Sequence, residues 1–439
     1  MNQEASIEYM PTSVQRRNLI YVVIDGAAIG LMSAAASFVS VFVIRLGASP
    51  LWVSLLSSIP STIALVMTLP WSHFAERQTR PQRVFAFARL AVHIVYPLVA
   101  VILVFLQGEL AARVIILVWS LSALPSSLSN VMFTLVMGNA MSSEKRSLMM
   151  SRRWMVLGAA NLIALPLISQ LIDRLAFPLG YQVAFGLNAL IAVVAFVLAN
   201  RIEIPERKTS YPRNTLPLWS RVQGQVQEVL SEKPFLVFVG GRTALNLGLA
   251  MVSAIVPIFW VNGLGATDTW VGYINAASSG STLVAYAPWT FVKRKYGTRW
   301  TLIPSVLGVA LYPALLALAR APAAVLPIVA FNGLVGSGLN LAFFDALLDT
   351  CPRNKQALYV AINMTAVHLM GVIGPPLGAA LLDTVGIRWV LVIATCVAMV
   401  GVGVFTFVST STPTGRRAQG GIRRRLRTWI RRIRQIRYR

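Results

Sequence analysis

Acidic residues are scarce in this chain: 15 Asp and Glu stand against 39 Lys and Arg. Charge of either sign is sparse as well. It makes up 12% of the residues, where a soluble domain uses about 25% to cover its surface. A water-soluble fold is excluded on that ground. Cysteine is nearly absent, with only Cys351 and Cys396, so no CxxC, zinc spacing or disulfide framework exists. There is no HExxH, GxSxG or Cys/His cluster, which removes the usual grounds for an enzyme, and no cofactor is expected. Without GxxxxGK[ST], direct use of ATP is not expected either. The N-terminus carries Glu4 and Glu8 and lacks the basic region of a cleaved leader.

What is present is apolar: 56% of 439 residues are hydrophobic, with a mean hydropathy of +0.67. The apolar runs fall at roughly 19–45, 51–71, 84–106, 111–138, 153–172, 179–200, 234–261, 269–292, 300–319, 324–349, 357–382 and 387–409. Each covers ~30 Å at ~1.5 Å per residue, the length a membrane helix needs. Continuous runs of this length exclude a barrel, whose strands alternate over ~10 residues. The expected class is an all-α membrane protein with twelve transmembrane helices in two pseudo-symmetric six-helix bundles. The loops carry the net charge of +24 unevenly, with 33 basic residues on one side and 5 on the other. Arg242 lies within a run. That asymmetry predicts a multi-pass protein of the cell (inner or plasma) membrane with both termini cytoplasmic.

Self-similarity supplies the domain plan. Gly47-Ala48-Ser49-Pro50-Leu51-Trp52-Val53 returns as Gly265-Ala266-Thr267-Asp268-Thr269-Trp270-Val271. Pro70-Trp71 returns as Pro288-Trp289, and Gly30-Leu31 as Gly248-Leu249. With eight residues lost in a loop, Asn130 then matches Asn340, Phe133 matches Phe343, Pro166 matches Pro376 and Asp173 matches Asp383. The chain divides into a cytoplasmic N-terminus (1–18), a first bundle (19–200), a cytoplasmic linker rich in proline and charge (201–233), a second bundle (234–409) and a tail (410–439).

This plan resembles the major facilitator superfamily. The family's loop signature after the second helix is similar to Trp71-Ser72-His73-Phe74-Ala75-Glu76-Arg77-Gln78-Thr79-Arg80, with Glu76 in the acid's place and Thr79 in the glycine's. The counterpart Lys293-Arg294-Lys295-Tyr296-Gly297 keeps the glycine and has Arg294 where the acid would stand. The resemblance implies transport of a small molecule by alternating access. It also implies gating loops at Glu76, Arg77, Arg80, Arg294 and Lys295. The fifth helix lacks the family's antiporter signature. Gly371-Val372-Ile373-Gly374-Pro375-Pro376-Leu377-Gly378 on the eleventh reads as a close-packing face.

Polar residues at membrane depth are candidate functional groups. Asp25 and Arg242 sit two turns into the first and seventh helices. If those helices line a central cavity, as the resemblance implies, the two would face each other as a gate or coupling pair. Asn130 and Asn340 occupy equivalent places, Asn246 shares a face with Arg242, and Asn332 shares one with Asn340. These six are the expected substrate-binding and coupling residues. Permanent structural pairing, or hydrogen bonding between helices, accounts equally for each of them. His93 and His368 could titrate, and Asp345 and Asp349 read as solvated helix-end charges. No metal site is expected.

In the tail, residues 416–439 hold eleven arginines, with Ile422, Leu426, Trp429, Ile430, Ile433 and Ile436 at helical spacing. This reads as a basic amphipathic helix on anionic lipid, not a nucleic-acid binder. The expected partners are a small-molecule substrate, protons or another coupling ion, and anionic lipids, for a monomer. The expected function is proton-coupled efflux of an amphipathic solute. An uptake permease or facilitator for a polar solute is one alternative, and a non-transporting scaffold or receptor is the other.

Overall fold

A computed structural model describes residues 11–204, 232–349 and 356–411. Among these residues the chain is helical, with no strand. The first half holds α1 (Thr12–Arg45), α2 (Pro50–Glu76), α3 (Pro81–Phe105), α4 (Gly108–Asn139), α5 (Ser143–Arg174) and α6 (Leu179–Asn200). The second holds α7 (Phe235–Gly263), α8 (Asp268–Tyr296), α9 (Thr298–Ala317), α10 (Pro322–Asp349), α11 (Gln356–Val385) and α12 (Ile387–Ser411). Most of the 201–233 linker and the amphipathic stretch of the tail lie outside the described residues.

Eleven of these helices are long and apolar enough to cross a bilayer. The exception is α8. At 29 residues it has the length, but Asn275, Ser278, Ser279, Ser281 and Thr282 dilute its hydropathy. Twelve helices are present, and the count of twelve apolar spans stops at eleven. The polar residues of α8 are housed because the helix packs between α5 and α10.

The repeat is visible in the packing. In the first half α1 lies on α5 and α6, α3 on α4 and α6, and α2 on α4. Advancing every number by six gives the second half: α7 lies on α11 and α12, α9 on α10 and α12, and α8 on α10. Gly47 (φ +91°) and Gly265 (φ +64°) make the same left-handed turn into α2 and α8, a conformation that favours glycine. The break in α1 recurs as well. Regular helix stops at Ala36 and resumes at Val39; α7 stops at Ser253, resumes at Ile255 and widens into a π-turn over Phe259–Gly263. Broken backbone at membrane depth is tolerated only where protein or a cavity receives its polar groups.

Small residues set the close approaches. A Cβ on Gly26 would lie 2.8 Å from the Arg153 carbonyl oxygen, and one on Gly30 would overlap that of Leu157, so α1 and α5 touch backbone to backbone. Gly374 and Gly378 do the same for α11 against α7, the packing role expected of that glycine run.

The halves meet along α2 with α11 and α5 with α8. They also meet at the far ends of α1 and α7, on the face opposite the chain's described ends. One continuous core fills that far face. It joins Phe38, Phe42 and Ile44 of the first half to Ile255, Phe259 and Trp260 of the second. On the face carrying the described ends the cores are separate. Phe85, Met132 and Met149 belong to a cluster confined to the first half, and Phe238, Phe343 and Phe405 to one confined to the second. The molecule is therefore closed on the far face and divided on the other. Large apolar side chains such as Phe105, Leu190 and Val284 point outward along the helices, the surface a bilayer requires.

Candidate functional site

The far face is fastened by a reciprocal strap between the halves. From the first half, Arg45 at the end of α1 donates Nε to Asp268 Oδ1 at 3.2 Å and Nη2 to the Ala266 carbonyl at 3.0 Å. Tyr181 of α6 donates its hydroxyl to the same carboxylate oxygen at 2.5 Å. In return, the Asp173 carboxylate at the end of α5 accepts the first amides of α8, from Asp268 at 3.1 Å and Thr269 at 2.7 Å. A carboxylate at a helix N-terminus satisfies spare N–H groups and meets the positive end of the helix dipole. Each half thus supplies a carboxylate that the other half binds.

Asp25 is fully buried, and its partners differ from the expected one. Its Oδ1 pairs with Arg89 Nη1 of α3, and its Oδ2 lies 3.4 Å from Arg153 Nη2 of α5. The expectation of an Asp25–Arg242 pair across the halves is overturned. Both of its partners lie in its own half, because the Gly26 and Gly30 contacts bring α5 directly against α1. The two guanidiniums complete their surroundings with rings: Arg89 lies over Phe85 at 5.1 Å, and Arg153 over Phe133 at 4.5 Å. Arg89 Nη2 and Arg153 Nε and Nη1 are buried without partners. Arg242 instead lies over the Phe343 ring at 4.6 Å, with its Nε also unpartnered.

The other expected site residues are dispersed. Asn246 donates to the Arg242 carbonyl at 2.8 Å, a bond within its own helix. Asn130 and Asn340 are both exposed, on α4 and α10. Asn332 lines a cavity of about 470 Å³ at the break in α7. Of the expected gating residues, Arg77, Arg80 and Arg294 are exposed, and Lys295 lies over Phe291 and Tyr296 at 5.4 and 5.3 Å. The Glu76 side chain lies outside the described ones. Asp345 is no free helix-end charge: it pairs with Lys293 at 2.5 Å, joining α10 to α8. His93 stacks on Tyr96 at 5.7 Å, as a packed residue does.

Sequence reading missed Arg89 and Arg153 because it counted them among loop cations, and Arg45 for the same reason. One signal was available: a lone acid inside a span demands a cation of matching depth, and Arg89 falls within the run 84–106. Asn275, Tyr312 and Trp260, which share the α7 cavity with Asn332, gave no sequence signal beyond their polarity.

Comparison with known proteins agrees with this geometry. Residues 238–439 match the family model of the Major Facilitator Superfamily. No curated protein matches the chain by sequence. Among solved structures, a bacterial homolog of the human lysosomal transporter Spinster, in an inward-facing and unoccupied conformation, superposes with a TM-score of 0.69 at 12% identity. The match covers 92% of this chain and 99% of that one. The nucleoside transporter NupG gives 0.65 at 12% identity over 90% and 100% of the two chains, and a point mutant of it gives 0.68. Likeness at that identity establishes fold. The second half thus matches the Major Facilitator Superfamily by sequence, and the whole chain shares the fold of these solved transporters.

Proposed function

We propose that this chain moves a small amphipathic solute out of the cell by alternating access, coupled to protons, with 19–200 and 234–409 as the two moving bodies. The observation that carries the reading is the divided core. Apolar side chains from both halves fuse on the far face and separate on the other, which describes one of the two states that rocking bodies exchange. On this reading the divided side faces the cytoplasm of the inner or plasma membrane, with the termini, which the basic asymmetry of the loops supports. The strap of Arg45, Asp173, Tyr181 and Asp268 is then the outer gate, which must break before solute leaves. The exposed Arg77, Arg80, Arg294 and Lys295 are free to engage when the cytoplasmic side shuts. An apolar cavity with a few amides suits an amphipathic solute better than a sugar.

Asp25 remains the coupling candidate, through different partners. Neutralising it releases Arg89 and Arg153 and loosens the seat of α1 on α5. On this reading the solute is bound by cavity amides, Asn332 foremost, with Asn130, Asn340 and Asn246 as further contacts along its path. Anionic lipid holds the tail, and the working unit is the monomer. The test is flux in proteoliposomes holding an internal pH dye, screened with a solute library. Solute-dependent proton movement supports the reading, and movement of solute without protons would reduce it to a facilitator. No flux under any gradient would leave a scaffold. Solute-driven proton exit should also be abolished by Asp25→Asn while solute exchange persists.

A further inference from the structure

We propose that the cavity at the break in α7 is a solute site built into the second half, and that it takes a neutral, ring-bearing molecule with both a hydrogen-bond donor and an acceptor. The inference rests on the transporter reading and specifies the chemistry of its cargo. The cavity, about 470 Å³, is walled by Leu249, Val252, Val256, Pro257, Val309 and Trp260. Six polar residues also line it: Ser37 and Ser40 from α1, Ser253 from α7, Asn275 from α8, Tyr312 from α9 and Asn332 from α10; Ser37 and Ser253 donate within their own helices, to the Ser33 carbonyl at 3.0 Å and the Ala250 carbonyl at 2.9 Å. Among the described residues, the Tyr312 hydroxyl, the Ser40 hydroxyl and the Asn332 amide make no hydrogen bond. Asn275 donates to the Val271 carbonyl at 3.0 Å and keeps its own oxygen free. A few convergent polar groups on an apolar wall are the usual composition of a small-molecule site. These amides and hydroxyls open into the cavity, where an occupant carrying a donor and an acceptor can take the place of water.

No charged side chain lines the cavity, so a charged occupant would leave water without a counter-charge. Neutrality follows from that, and the aromatic and branched walls favour a flat or ring-bearing body. The first half supplies an internal control. Its cavity at the matching place, about 260 Å³, is lined by Tyr96 and Ser122 where the second half has Tyr312 and Asn332. There the chain bonds to itself: Tyr96 donates to the Met32 carbonyl at 3.3 Å and Ser122 to that of Trp119 at 2.6 Å. The first-half copy is smaller and its Tyr96 and Ser122 hydroxyls are bonded, while Ser126 also lines it; the second-half copy is larger and the equivalent Tyr312 and Asn332 make no bond among the described residues. Ser37 and Ser40 complete the larger copy from α1, so its wall is whole only while the far ends of the two halves are together.

The test is photolabelling of the full-length protein in lipid nanodiscs with para-hydroxybenzophenone, a neutral two-ring ketone carrying one donor. Labelled peptides are mapped by mass spectrometry, and labelling of the lipid-facing surface of α6 around Leu190 serves as the internal reference. The expected result is enrichment of about tenfold over that reference within 249–260 and 309–332. Tyr312→Phe and Asn332→Leu, both near in size to the native residue, should each lower it about fivefold to tenfold, the effect of one lost hydrogen bond. Tyr96→Phe should leave it unchanged. The anionic analogue para-benzoylbenzoate should label at reference level only. Labelling of the cavity peptides at reference level, equal labelling by the benzoate, or indifference to both variants would each overturn the proposal and leave a cavity that holds water. Cavity labelling in protein that moves no solute would retain the site and refute the transporter reading, so the two fail separately.

Discussion

The two halves share a packing plan and use their buried polar residues in opposite ways. In the register set by Gly30 and Gly248, Tyr96-Pro97 and Tyr312-Pro313, and Asn130 and Asn340, the first half's Asp25, Arg89 and Arg153 correspond to Thr243, Ser305 and Asn363. The first set is a buried ion cluster that ties α1, α3 and α5 together. The second set is neutral. Thr243 bonds within its own helix, to the Val239 carbonyl at 2.7 Å. The Ser305 hydroxyl and both polar atoms of Asn363 are buried without partners. The cavities repeat this contrast: the first half's is smaller with its tyrosine bonded, and the second half's is larger with its tyrosine unbonded. Duplication fixed where the helices sit; which half binds itself and which keeps polar groups available is written afterward, in single side chains.

The sharpest way to break the comparison is to remove the charge from the first set. Asp25→Asn leaves two buried guanidiniums facing an amide, and losing one partner of a buried ion pair costs ~3–5 kcal/mol. Thermal unfolding in detergent should show a large loss for Asp25→Asn, and a change under ~1 kcal/mol for Thr243→Val, which removes one weak intrahelical bond. Grafting the counterpart residues as a set, Asp25→Thr with Arg89→Ser and Arg153→Asn, should recover most of the loss, since a buried ion cluster contributes little over neutral residues of similar volume. A triple variant as unstable as Asp25→Asn would show that the charges are needed for folding as such. If the triple variant recovers stability, its behaviour in proteoliposomes separates coupling from folding, because position 25 then carries no carboxylate.

Much of this was legible in the sequence. The runs placed most helix ends to within a few residues, but α1 begins at Thr12 and α5 at Ser143, well before the runs at 19 and 153, because their first turns are polar; Gly47/Gly265 and Trp52/Trp270 marked the repeat. The polar pairing was harder to read. Hydropathy shows that Asp25 is inside a helix but not which way it turns, and both α1 and α7 are apolar nearly all round. Arg89 and Arg153 are each preceded by other loop cations, so a tally of positive charge absorbs them into the topology signal. Only the Gly26 and Gly30 contacts decide that α5 lies close enough for Arg153 to reach Asp25. Arg45 and Asp268 looked like ordinary loop charges, since nothing local marks residues 223 apart as partners.

The next effect in size concerns the strap, where the halves do cooperate. Asp268→Asn removes the charge that Arg45 and Tyr181 share, and hydrogen bonds to charged groups contribute ~1.5–3 kcal/mol. On an equilibrium between two openings that is a shift of about tenfold or more toward far-side opening. Spin labels at Leu110 and Arg320, in a background lacking Cys351 and Cys396, would report it as a population at longer distance. Acidifying the far side acts in the same direction. Burial favours the neutral form of Asp268, and once protonated it loses its hold on Arg45, so the far face opens as pH falls, and Asp268→Asn should flatten that dependence. A distance distribution unchanged by both pH and substitution would mean that the apolar core around Phe42 and Phe259 alone keeps this face shut.

The smallest expected effect is at the opposite face, where Lys293 holds Asp345 at 2.5 Å and the Leu341 carbonyl at 3.0 Å. Both partners belong to the second half, and the Asp345 side chain is 41% exposed. Water screens a pair of this kind, and such pairs contribute ~0–1 kcal/mol. Asp345→Asn should therefore shift the unfolding midpoint barely at all, and raising the salt concentration should erase what difference there is. Its value lies in what a larger effect would mean. Lys293 stands in the last turn of α8, which corresponds to the end of α2 around Ala75 and Glu76, and in the present opening it is occupied within its own half. If Asp345→Asn leaves stability unchanged and yet alters the rate of solute exchange, the pair acts as a parking place for Lys293, released when the divided face closes. If rate and stability are both unchanged, the pair is an ordinary surface contact, and the closing interactions of that face belong to Arg77, Arg80 and Arg294.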